Sequence, residues 1–194
     1  NGETSRVFRV HDFVNKFDSH SGLLAVKSLV DEFPDDNEVS RLENEYIISK
    51  HLVHCDATRA AFQQTEIDGN PSILLEWVAG VTLTEWIKSF HNTEINSPQS
   101  LNRHSTQLSE SSLKIITQLA REISKALGNL HDACVIHNNF KPEHIVVHKK
   151  LEKDIISVKI IGLGSASLLT DRSEIHLKSR KDLLSLGSIF FEMF

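Results

Sequence analysis

The sequence predicts an α+β chain in two parts, an antiparallel sheet with one helix followed by a mainly helical region. Three observations predict it. The first ninety residues alternate short β-branched and aromatic runs with turn signals around a single helical pattern. The longest helical periodicity of the chain lies later, between Leu113 and Leu130, and an almost wholly apolar helical run, Asp182 to Phe194, closes it.

Taken in order, Arg6-Val7-Phe8-Arg9-Val10 and Leu23-Leu24-Ala25-Val26 are strand-like runs on either side of Ser21-Gly22, which predicts a hairpin. Val39, Leu42, Tyr46, Ile47 and Leu52 fall near helical spacing, predicting a helix from Arg41 to His51 after the capping side chains of Asp35-Asp36-Asn37. Ala60 to Glu66 and Ser72 to Trp77 form a second strand pair, joined by the turn residues Asp68-Gly69-Asn70-Pro71. A short amphipathic helix is expected from Thr82 to Phe90. A polar insertion loop then runs from 91 to 112, and Ser111-Ser112 are expected to cap the long helix. Ile145-Val146-Val147 and Val158-Lys159-Ile160-Ile161 are strands joined by a charged stretch, Lys149 to Asp154.

Composition bounds the function. Of 194 residues, 21 are Lys or Arg and 26 are Asp or Glu, for a net charge of −5, which argues against nucleic acid as a partner. An apolar fraction of 40% and a charged fraction of 24% suit a packed core. No apolar run approaches the roughly 20 residues that span a bilayer. Two cysteines, Cys55 and Cys134, are too few for a disulfide scaffold, so a reducing compartment, the cytoplasm, is expected. A chain that opens on Asn1 and ends on Ile189-Phe190-Phe191-Glu192-Met193-Phe194 is expected to be a fragment with an exposed, poorly soluble core surface at its end.

Four spaced motifs carry the chemistry. Ala25-Val26-Lys27 puts a lysine at the end of a strand, and eighteen residues later Glu45 lies on the next helix, where the two can meet as an ion pair. Leu74-Leu75-Glu76-Trp77-Val78-Ala79-Gly80 leaves the first part through a short connector. Val135-Ile136-His137-Asn138-Asn139-Phe140-Lys141-Pro142-Glu143-His144-Ile145-Val146-Val147 follows the long helix, and Val158-Lys159-Ile160-Ile161-Gly162-Leu163-Gly164 follows that. In order and spacing these resemble the eukaryotic-type serine/threonine protein kinase domain, degenerate at its catalytic motifs, and Asp182-Leu183-Leu184-Ser185-Leu186-Gly187 is similar to its buried helix. The resemblance implies a kinase-like small lobe over 1–78 and a partial large lobe over 79–194, truncated at both ends.

Carried over position by position, the resemblance implies a nucleotide slot. Gly2 stands at the second glycine of the phosphate loop and Ser5 at its third. Lys27 would hold the α- and β-phosphates of ATP, with Glu45 orienting it. Glu76 and Val78 would offer backbone groups to the adenine, with Leu75 behind it and Ala25 beside it. Val7 or Val10 would cover the ring, and Val7 fits the spacing better.

The transfer machinery departs from the pattern. Asn139 stands where the family has its catalytic aspartate, and an amide is no base at neutral pH. His144 and Gly162 occupy the two metal-ligand positions, and Asn138 replaces the loop arginine. Lys141 alone remains of the polar set. Losing the base costs about 10²–10⁴-fold in rate. ATP is therefore an expected ligand, magnesium a doubtful one, and ordinary kinase activity is not expected.

Gly162 and Asp182 are only twenty residues apart, with no Ala-Pro-Glu between them, which points to a lost peptide-substrate platform or to residues missing from the gene model. Ser165, Ser167, Thr170 and Ser173 fit a solvated loop, as does the acidic run from Asp31 to Asp36. Eleven histidines raise a metal site, but the nearest pairs, Cys134 with His137 and His144 with His148, do not supply the four ligands of tetrahedral zinc. His137 is expected to pack under the catalytic-loop backbone.

Two functions remain. One is an impaired kinase-like module that acts in signalling by binding a nucleotide or another protein. The other is an active ATP-dependent serine/threonine kinase with substitute metal ligands, His144 and a carboxylate such as Asp171. The Gly164-Ser165-Ala166-Ser167-Leu168-Leu169 stretch is also similar to kinase-like domains that begin large multidomain signalling proteins, so further domains or a protein partner are expected.

Overall fold

The structure, a computed structural model, describes residues 4–14, 16–17, 22–31, 33–95, 108–150 and 155–194. Gly2, Ser21, Glu32, residues 96–107 of the polar stretch and residues 151–154 of the charged connector lie outside the described residues.

The N-terminal region is a four-stranded antiparallel sheet, order β1-β2-β4-β3, built from β1 (Ser5–His11), β2 (Leu23–Leu29), β3 (Ala61–Ile67) and β4 (Asn70–Glu76). Register puts Val7 opposite Lys27, and both Ala25 and Lys27 opposite β4 residues, Leu75 and Ile73. Opposed residues share a face, so Val7, Ala25, Lys27, Ile73 and Leu75 lie on one side of the sheet. Helix α1 (Asp36–His51) packs on that side, where Leu42 joins Ala25, Leu29, Ala61, Ile73 and Leu75 in a core.

Helix α1 starts five residues earlier than the apolar spacing predicts. Asp35 is the cap: its backbone is extended and its carboxylate accepts the Glu38 N–H at 2.8 Å. The first turn is held by this polar cap instead of by burial, which is why periodicity alone starts the helix late.

Past the connector, the chain forms a three-stranded sheet, order β5-β7-β8, from β5 (Val81–Thr82), β7 (Ile145–Lys150) and β8 (Ile155–Ile160). Gly80 has φ 137°, and a Cβ there would run into the Val147 carbonyl oxygen, so the connector ends on a residue that must be glycine. Helix α2 (Leu83–Ile95) opens with a reciprocal cap between Thr82 and Glu85. It runs beyond Phe90, correcting the loop expected from 91. Trp86 and Phe90 stack at 4.8 Å against the main core, and nothing in His91 to Ile95 breaks a helix that this packing has begun.

Helix α3 (Glu110–Asp132) is the long amphipathic helix, with Ile116, Leu119, Ile123, Leu127 and Leu130 buried on one face. Its cap is Ser109, whose hydroxyl accepts the Ser112 N–H, in place of the expected Ser111-Ser112. Strand β6 (Val135–Ile136) pairs with β9 (Ser167–Leu168), and the short α4 (Ile175–Lys178) leads into α5 (Arg180–Met193). Only part of the apolar C-terminal run is exposed: Met193 is fully buried and Ile189 nearly so, while Phe191 and Leu184 face outward. Among the described residues no helix is long and apolar enough to cross a membrane.

The two regions are joined by more than the connector. Thr58 bridges Ile160 of β8, with Arg59 N–H donating to the Ile160 carbonyl at 3.2 Å and Ile160 N–H to Ala57 at 2.7 Å. Ile48 of α1 and Leu52 just after it belong to the core built around α3, so the helix that carries Glu45 is anchored in both regions.

Candidate active-site cleft

The strand β2 and helix α1 bring Lys27 and Glu45 together. Lys27 Nζ lies 2.5 Å from Glu45 Oε2, and Arg59 Nη2 lies 2.9 Å from Glu45 Oε1. Glu45 is 1% exposed. Burial pushes its carboxyl up, but the charges and hydrogen bonds of Lys27 and Arg59 outweigh burial and hold it below the usual carboxylate range. Arg59 has no counterpart in the sequence reading. Because it shares Glu45, the trio carries one more cation than it has carboxylates, and the Lys27 ammonium is not fully neutralised by its partner.

One residue before Glu45, Asn44 turns the other way. Its amide Nδ2 donates to the carbonyls of Leu163, Gly164 and Ala166 at 3.4, 3.0 and 2.8 Å, tying α1 to the 3-10 turn Leu163–Ser165 that follows Gly162. The connector is clasped as well: Lys159 Nζ reaches both Glu76 oxygens, at 2.7 and 2.6 Å, and Ala60 N–H donates to Glu76 Oε2 at 3.2 Å. Leu75 is fully buried behind the connector, Ala25 is buried, Val7 is half-exposed and Val78 is partly exposed. Arg9 lies over the Trp77 ring at 5.7 Å.

The loop from His137 to His144 hangs on one carboxylate. Asp182, at the start of α5, accepts the His137 N–H at 2.8 Å and the Asn138 N–H at 2.9 Å, with His131 Nε2 at 3.1 Å. Burial raises its pKa, yet the hydrogen bonds from His131 and from the His137 N–H bring it below the ordinary value. Asn138 sits at φ 61°, a conformation asparagine tolerates, and its amide donates to Ser165 O and Ser167 Oγ. His137 is buried and braces the loop as expected: its Nδ1 accepts the Asn139 N–H at 3.3 Å and its Nε2 bonds the Ile161 carbonyl at 3.1 Å. Burial holds it below the usual imidazole pKa.

Asn139 and Lys141 are exposed, and both line a cavity of about 470 Å³ together with Lys27, Arg41, His144 and Gly162. His144 and Gly162 fit one another closely. His144 Nδ1 lies 2.8 Å from the Asn139 carbonyl, which can only accept, so Nδ1 carries the proton and Nε2 keeps its lone pair. Burial first, and then the neighbouring charges of His137 and Lys141, lower its pKa to about 4. Gly162 has φ 74°, and a Cβ there would meet His144 Cδ2 at 2.6 Å, Nε2 at 2.7 Å and Cγ at 2.9 Å. The imidazole thus fills the space that any side chain at 162 would enter. Asp171, the carboxylate considered for a metal, instead bonds the Ser173 N–H at 2.8 Å and does not line this cavity. Among the described residues no group of three or more His, Cys, Asp or Glu is placed to share a metal ion.

The sequence model of the protein kinase domain matches residues 1–182. The chain is also 27% identical over 190 aligned positions to a probable serine/threonine-protein kinase of Clostridium acetobutylicum, covering 88% of this chain. It spans about a quarter of that relative's length, 25%. With residues 1–182 of 194 matched, and a sheet-plus-helix region that carries the Lys27–Glu45 pair followed by a helical one, this chain belongs to the protein kinase domain family.

Proposed function

We propose that this chain is a catalytically impaired protein-kinase-like domain that works in cytoplasmic signalling as a nucleotide-binding or protein-binding module, with residues 1–78 as its small lobe and 79–194 as part of its large one. The family as a whole binds ATP with magnesium. The residues of this cleft fit the nucleotide and do not fit the metal. Lys27, held by Glu45, would meet phosphate oxygens, and Val7, Ala25 and Leu75, which share its face of the sheet, would border a purine together with the Glu76–Val78 backbone. ATP would bring the phosphoanhydride; this chain's side chains would bind and orient it.

The observation that carries the reading is the His144–Gly162 contact. A metal carboxylate at 162 is absent, and the room for one is taken by an imidazole anchored on Asn139. At the base position, the Asn139 amide cannot take a proton from a hydroxyl. Phosphoryl transfer relies on charge neutralisation and positioning, and both are weakened here.

The test is transfer of labelled γ-phosphate from ATP by the intact protein, to itself and to generic protein acceptors, in magnesium and in manganese. The reading expects no transfer above a Lys27→Ala control. Transfer that this substitution abolishes would establish the alternative, an active serine/threonine kinase.

A further inference from the structure

We propose that the phosphate end of the cleft is a metal-free anion site, in which Lys27, Arg41 and Lys141 receive the phosphates of a nucleoside polyphosphate without a divalent ion. The inference rests on the reading of the cleft as a nucleotide slot with an impaired transfer end.

Three observations carry it. First, the family's metal position is filled, since the His144 ring stands where a side chain at 162 would reach. The ring is anchored by the 2.8 Å bond to Asn139 and by its neighbour His137, at 5.4 Å between centroids. Second, the cavity beside it is lined by three cations, Lys27, Arg41 and Lys141, and by no carboxylate at the family's metal positions. Arg41 lies on α1 one turn before Glu45, Lys141 lies on the loop below, and neither makes an ion pair among the described residues. Glu38 is the carboxylate among the lining residues, so cations outnumber it. Third, Arg59 takes a share of Glu45, which leaves Lys27 attracting anions despite its pairing. Hydroxyls of Thr4, Ser5 and Ser165 line the same cavity and can donate to further oxygens.

The chemistry that fits is a polyphosphate with its full charge. A free triphosphate carries more negative charge than its magnesium complex, and a site that supplies cationic side chains but no metal-holding carboxylate favours the free form. Because Arg41 and Lys141 are exposed, their contribution is screened by salt.

Isothermal titration of the intact protein tests this, with ATP in EDTA, ATP with excess magnesium, pyrophosphate in EDTA, and adenosine. The expected result is binding of ATP and of pyrophosphate in EDTA, weaker binding of adenosine, and no tightening by magnesium. Arg41→Ala and Lys141→Ala, both at exposed positions, should each weaken ATP about five- to tenfold with the unfolding transition unchanged. The paired substitution Gly162→Asp with His144→Asn should introduce a magnesium dependence that the native protein lacks. Tightening of native ATP binding by magnesium, equal binding of adenosine and ATP, or no binding of either anion in EDTA would each overturn the inference. The γ-phosphate assay on the same samples separates the two readings. Transfer would defeat catalytic impairment, whereas magnesium-tightened binding without transfer would defeat the metal-free site alone.

Discussion

Adding a single methyl group at position 162 should expose the interlock at the centre of this account. In Gly162→Ala the new Cβ would lie 2.6–2.9 Å from three atoms of the His144 ring, closer than real contacts allow. The ring cannot retreat freely, because that breaks its bond to Asn139 and its packing on His137. Overpacking costs about 1–3 kcal/mol. Alanine at φ 74° costs roughly another 1 kcal/mol. The sum, about 2–4 kcal/mol, should lower the midpoint of unfolding by roughly 4–16 °C, taking about 2–4 °C per kcal/mol for a domain of this size. His144→Ala alone should cost about 1–2 kcal/mol, mainly the lost hydrogen bond and ring contacts. The double substitution removes the clash, so its cost should fall short of the summed single costs by about 1–3 kcal/mol. Denaturant and thermal unfolding of the intact protein and the three variants measure this cycle. Additivity within about 0.5 kcal/mol would show that His144 is not what closes position 162, and the reasoning about the metal position would fall with it.

Other expectations follow from the same contacts. Asp182→Ala should destabilise by about 3–5 kcal/mol, since it strands the buried N–H groups of His137 and Asn138, and hydrogen exchange in that loop should accelerate. Arg59→Ala should cost less, about 1–3 kcal/mol in unfolding experiments, because Glu45 keeps Lys27, and combining it with Lys27→Ala should cost more than the two together. On acidification, His144 protonates more readily in the unfolded chain, near pH 6.5, than in the folded one, near pH 4. Stability should therefore be full above pH 6.5 and fall as pH drops from 6.5 to 4, by up to about 3 kcal/mol from this residue, with His137 acting in the same direction. The lowered carboxyls of Glu45 and Asp182 add their loss only below about pH 4, and His144→Asn should flatten the upper part of the fall.

Much of this was legible in the sequence where the signal is local. Strand pairs flanked by turn residues, the face of α3 and the Lys27–Glu45 spacing follow from periods of two and of 3.6 residues and from motif order. Caps moved the helix boundaries: Asp35 and Ser109 hold first turns that bury little, and the packing of Trp86 and Phe90 carries α2 into residues whose polarity suggests a loop. The replacements at 139, 144 and 162 were visible, but the contact between the last two was not, because it depends on strands β7 and β8 placing residues far apart in sequence side by side. Arg59, Asn44 and Lys159 were missed for the same reason. Each is an ordinary polar residue in sequence, and each acts only through a long-range partner, Glu45, the 163–166 carbonyls or Glu76.

The central claim is that an imidazole stands where the family holds its metal, and anomalous scattering reads that position directly. Crystals of the protein grown with ATP and manganese should show no anomalous peak within coordination distance of residue 162 or of His144 Nε2, with the ring still bonded to Asn139. A manganese peak bridging His144 and the phosphates would contradict the account.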